Sequence, residues 1–154
     1  MDENDEFFEL KLDESLQERI RLHMELMDKH ALSVLRAVAE LEYILSQAVQ
    51  AKFKNQISAQ KVVGDSFARL IRLAFALGVV EQKTYESLIN LKDIRNRVAH
   101  NVQPDIKVKD MRSILLFLGK EAEPVVQERG SYLAEWHKVS LDLLVNHVKN
   151  EVIA

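Results

Sequence analysis

Apolar positions recur at three- and four-residue intervals along most of this chain, the period of one helix face. Leu16, Ile20, Met24 and Met27 keep that spacing after Asp13, a suitable N-cap, so a first helix is expected over about 13–28. A second, longer helix is expected over about 30–53. Its wide apolar face would comprise Leu32, Leu35, Val38, Ala39, Leu41, Ile44, Leu45, Ala48 and Val49. No Pro or Gly marks the join, which leaves two helices or one kinked helix open. Ser58 can cap a third helix through Val62, Val63, Phe67, Leu70, Ile71, Ala74 and Leu77, closed by Gly78 at C′. A fourth is expected over 82–100, stopped by Pro104, with Leu88, Leu91, Ile94, Val98 and Ala99 on one stripe. Asp110 can cap a short fifth through Met111, Ile114, Leu115 and Leu118. Ser131 begins a sixth, with Leu133, Trp136, Val139, Leu143, Leu144, Val148 and Val152 on its apolar side. No segment alternates as a strand would, and no repeat occurs. The expected fold is an all-α bundle of five to six helices.

Composition sharpens this picture in a few places. A chain of 154 residues suits one domain, here 13–154, preceded by an acidic tail over 1–12 that carries Phe7, Phe8, Leu10 and Leu12. With 4 Gly and 2 Pro there are few breaks, which favours long helices over a many-turned β fold. The 0 Cys rules out a disulfide framework, a thiolate nucleophile and a thiolate metal site. No apolar run approaches a membrane span and the start is acidic, unlike a leader, so a cytoplasmic protein without membrane contact is expected.

The net charge of -3 is unevenly spread. Residues 1–14 hold seven acids against Lys11, whereas 52–112 hold twelve basic and six acidic residues. That basic middle can meet phosphates, although as a surface it is far from the dense stripe of a dedicated nucleic-acid binder. The tail either keeps the chain soluble or folds over the basic region as a phosphate mimic.

The candidate chemistry lies at the end of the fourth helix, in Ile94-Arg95-Asn96-Arg97-Val98-Ala99-His100. Arg95 falls inside the apolar stripe, where a charge needs a partner or a purpose. Asn96 and His100 are i,i+4 neighbours and can touch. Arg95 and His100, five apart, point about 140° away from each other on an ideal helix. Joint action requires an unwound last turn or a second copy across a two-fold axis, so the motif argues for a homodimer. A bare Arg–His pair at such spacing is expected about once by chance in this composition. Adding Asn after Arg and Ala before His lowers that to roughly one in a few hundred. Metal ligation is not expected: His23 and His30 are seven apart, His137 and His147 ten apart, and no His-Glu-x-x-His is present. No glycine loop or serine elbow suggests a cofactor or a nucleophile.

Arg95-Asn96-x-x-Ala99-His100 resembles the motif of the HEPN superfamily, all-α domains with Arg-polar-x-x-x-His at the end of an inner helix. The segment 63–80, with Gly64, Asp65, Arg69, Leu77 and Gly78, followed by Tyr85 and the Arg95 motif, is similar to the mannitol operon repressor (MltR-like) family. The similarity covers about 60–101, is weaker over 30–55 and does not extend to the tail or the last helix. The resemblance implies a HEPN-like bundle and two alternative functions. One is a metal-independent endoribonuclease in which His100 is the general base, Arg95 holds the scissile phosphate and Asn96 orients either. Lys92, Arg97, Lys107 and Lys109 would then steer the RNA backbone. The other is a non-enzymatic regulator acting through a protein partner. There Arg95 pairs with an acid such as Asp65 or Glu40, and His100 caps the helix end.

Overall fold

The computed structural model describes residues 14–55, 66–100, 105–121 and 133–153. They form α1 (Glu14–Ala51), α2 (Phe67–Ala76), α3 (Gln82–His100), α4 (Val108–Ser113), a 3-10 segment (Leu116–Glu121) and α5 (Leu133–Ile153). All regular structure among the described residues is helical, as the apolar periodicity requires. None of these helices is long and apolar enough to cross a membrane.

The first two expected helices are one. α1 runs unbroken for 38 residues, because nothing in 14–51 interrupts the backbone hydrogen bonds: no Pro removes a donor and no Gly loosens a turn. Only its second half enters the bundle. Val34, Val38, Leu41, Leu45 and Val49 are buried, whereas Leu16, Ile20, Leu22 and Met24 are exposed. The buried stripe is also rotated from the expected one. Leu32, Leu35 and Ala39 face outward, and Val34 and Ala37 take the core. The apolar surface of this segment is wide enough for either phase, and packing against α5, α2 and α3 selects one.

α2 starts later than expected. Ser66 is extended (φ -122°, ψ 125°) and its Oγ accepts the Arg69 N–H at 3.4 Å, so the helix begins at Phe67. The Ser58 cap lies outside the described residues. The C-terminal end matches its sequence signal. Gly78 has φ 72°, its N–H donates to the Phe75 carbonyl at 3.0 Å, and the Val79 N–H donates to Ala74 at 2.8 Å. That pair of bonds is the Schellman ending, which only a residue at ease with positive φ completes cheaply.

α3 has the expected bounds and buries Leu88, Leu91, Ile94 and Val98, whereas Ala99 is exposed. The expected fifth helix is divided: α4 ends at Ser113, and the 3-10 segment that follows turns at Gly119 (φ 60°). Asp110 sits in the first turn of α4 instead of preceding it, and its Oδ2 accepts the Lys107 N–H at 2.8 Å. The acid therefore still satisfies a free backbone donor at the helix start. α5 buries Leu141, Leu144, Val145 and Val148; the Ser131 start and the side chains of Leu133 and Trp136 lie outside the description. His30 meets His137 and Glu40 meets Lys149, so α1 and α5 run in the same direction. One continuous apolar cluster joins α1, α2, α3, α4 and α5.

Candidate functional site

Arg95 is positioned by α3, whose buried Leu91, Ile94 and Val98 fix the helix rotation and leave position 95 at the edge of the core. Its side chain is half-buried and opens on a groove of about 220 Å³. Glu42 of α1, Ser66, Phe67 and Ala68 at the start of α2, and Lys92, Arg95 and Asn96 of α3 line it. Arg95 Nη1 donates to Asn96 Oδ1 at 3.4 Å. Among the described residues no carboxylate lies within 4.0 Å of the guanidinium. The structural reading of Arg95 named Glu40 or Asp65 as its acid. Glu40 is instead bonded to Lys149 at 2.6 Å on the α1–α5 side, and Asp65 lies outside the described residues.

The groove holds two cations, with Glu42 as the acid among its lining residues. Lys92 Nζ is 3.1 Å from Asp93 Oδ1. The start of α2 adds the partial positive charge of free backbone N–H groups. Such a surface suits one phosphate diester better than a neutral ligand.

His100 stands elsewhere. α3 remains helical through its last residue, so the unwound turn that would bring Arg95 and His100 together is absent. His100 is exposed and is not among the groove's lining residues. The expected Asn96–His100 contact does not form, because Asn96 turns its oxygen to Arg95.

The remaining basic candidates divide between the groove and α4. Lys92 belongs to the groove. Arg97 Nη2 is 2.7 Å from Asp110 Oδ1, whose side chain is 12% exposed, so Arg97 ties α3 to α4 and its charge is already balanced. Lys107 lies 4.0 Å from Asp105, and Lys109 is exposed on α4.

Two polar clusters escaped the sequence reading. At the start of α3, the Thr84 hydroxyl donates to Glu151 Oε2 at 2.6 Å, and His147 Nε2 lies 3.0 Å from Thr84 Oγ1 and 3.1 Å from the same carboxylate oxygen. Glu151 also accepts the Glu81 N–H, and Phe117 stacks on the His147 ring at 4.0 Å. A hydroxyl, an imidazole and a carboxylate invite comparison with a nucleophilic triad, but Thr84 is 1% exposed and gives its proton to the acid. This is a clasp that caps α3 from α5. The second cluster is the stacked, buried pair His30 and His137. Neither was visible beforehand, because Thr84 stands 63 and 67 positions from His147 and Glu151, and His30 is likewise remote in sequence from His137. Among the described residues no three His, Asp or Glu side chains gather as metal ligands.

No family model, curated protein or solved structure matches this chain. The likeness to HEPN and mannitol operon repressor proteins thus rests on the sequence motifs alone.

Proposed function

We propose that the protein is a HEPN-type helical protein that binds RNA through its phosphate backbone at the Arg95 groove and, as a homodimer, cleaves it without a metal. The observation that carries this reading is Arg95 itself, half-exposed and without a carboxylate among the described residues. A guanidinium retained at a core edge for packing would be clasped by an acid, as Arg97 is by Asp110. Left open beside Lys92 and Asn96, it is ready for a bidentate phosphate contact.

In the cleavage step, His100 takes the proton of a ribose 2′-hydroxyl as the 2′-oxygen attacks phosphorus. The bond to the 5′-oxygen breaks, that oxygen leaves with a proton returned from the imidazolium, and a 2′,3′-cyclic phosphate remains. Arg95 stabilises the charge on the non-bridging oxygens. Because Arg95 and His100 of one helix diverge by about 140°, the base is supplied by the second copy. The test is cleavage of a single-stranded RNA in the presence of a chelator. His100→Ala should abolish product while leaving RNA binding and the melting temperature nearly unchanged, and replacing the attacking 2′-hydroxyl by hydrogen should block the same cut. Cleavage that survives His100→Ala would exclude the step.

A second reading, a non-enzymatic regulator working through a protein partner, is favoured by a different observation. Leu16, Ile20, Leu22 and Met24 on the first half of α1 are 44–51% exposed, an apolar surface suited to another polypeptide. That reading gains if the purified protein never cuts RNA and His100→Ala lowers stability.

A further inference from the structure

We propose that the stacked rings of His30 and His137 are an acid-released latch that holds α5 against α1 at neutral pH and lets the junction open as the pH falls. The ring centroids are 3.7 Å apart with an interplanar angle of 16°, and the two residues are 7% and 3% exposed. His137 Nε2 lies 3.1 Å from the Ile106 carbonyl oxygen. A carbonyl only accepts, so that nitrogen carries a hydrogen. His30 Nε2 is buried and has no hydrogen-bond partner. Face-to-face rings cannot aim both lone pairs at one ion, so metal ligation does not explain the pair.

Among the described residues, the charges acting on His30 do not favour a cation. Lys29 precedes His30 on α1, Lys138 follows His137 on α5, and Asp105 and Lys107 flank Ile106; all four are exposed. Among the described residues no carboxylate lies within 4.0 Å of the His30 ring. Burial first, then His137 and Lys29, push the His30 pKa from 6.5 down to about 4. The sign follows. The unfolded or opened His30 takes up a proton below about 6.5 while the closed form resists until about 4, so the latch is fully effective above 6.5 and is lost as the pH falls through that window. Over that span of 2.5 pH units the opening constant rises by up to about 300-fold.

Position makes the pair a latch and not merely a core defect. Moving along α1, His30 is the first described side chain to be buried, after residues 14–25, 28 and 29, which are exposed. His137 occupies the corresponding place near the start of α5. Releasing them frees the start of α5 and the base of the α1 extension, while Leu41, Leu45, Leu144 and Val148 deeper in the bundle stay packed.

The single tryptophan, Trp136, directly precedes His137 in α5, so its emission offers a probe of the test. In the full chain, its emission should change with a midpoint between about pH 4 and 6.5 while most helical ellipticity is retained. His30→Phe, which keeps an aromatic ring but cannot titrate, should move that transition below about pH 4. An unshifted midpoint in both His30→Phe and His137→Phe, or no transition in the wild type, would overturn the proposal. Should neither variant fold, proton NMR of the wild-type imidazoles decides: His30 titrating below about 5.5 supports the latch, and titrating above that value overturns it.

Discussion

The two ends of α3 treat polar side chains in opposite ways. At its start, Thr84, His147 and Glu151 satisfy one another and the Glu81 N–H, with Thr84 buried and Phe117 stacked on the His147 ring. Toward its end, Arg95 has among the described residues only a long bond to Asn96, and His100 is exposed. Buried polar groups in a folded chain are expected to be paired, because each unpaired one costs about 1–3 kcal/mol. The Thr84–His147–Glu151 cluster obeys that rule and reads as architecture, whereas Ser87 Oγ one turn on is buried without a partner among the described residues. Among the described residues the second end keeps hydrogen-bonding capacity free, as the proposed phosphate contact requires.

Substitutions can break this contrast. The largest loss of stability is expected for Glu151→Ala, which leaves the Thr84 hydroxyl and the Glu81 N–H without their acceptor. Denaturant unfolding should show a loss of about 2–3 kcal/mol, with RNA binding unaffected in the fraction that remains folded. Thr84→Val preserves shape and removes the hydroxyl, while Glu151 keeps His147 and the Glu81 N–H, so about 1 kcal/mol is expected in the same measurement. Arg97→Ala removes the pair with Asp110, which is half in water, and should cost about 0.5–1 kcal/mol. If Arg97→Ala proved as damaging to RNA binding as Arg95→Ala, the division between paired and open cations would fail.

Sequence reading singled out Arg95 near the end of α3 as a candidate and missed the cluster at its start. Arg95 betrayed itself by standing in an apolar stripe, and both limits of α3 followed from local signals, the turn after Gly78 and the stop before Pro104. The ending of α2 was legible for the same reason, since Gly78 adopts the positive φ its position requires. The Glu151 clasp and the His30–His137 stack depend on packing between distant segments, which no local pattern encodes. The rotation of α1 was misread at Leu32 and Leu35 because apolar residues surround much of that helix, and only its neighbours select the buried face. The start of α2 was placed too early because Ser58 and Ser66 are equally good caps by composition.

The central claim is that Arg95 is kept for a phosphate and not for the fold. It is tested most directly by titrating single-stranded RNA against wild type and Arg95→Ala at low salt, with melting curves on the same samples. Loss of a charge-assisted contact worth about 1.5–3 kcal/mol predicts affinity lower by roughly ten- to a hundredfold, with the melting temperature nearly unchanged. Unchanged affinity, or a large fall in melting temperature, would contradict the account.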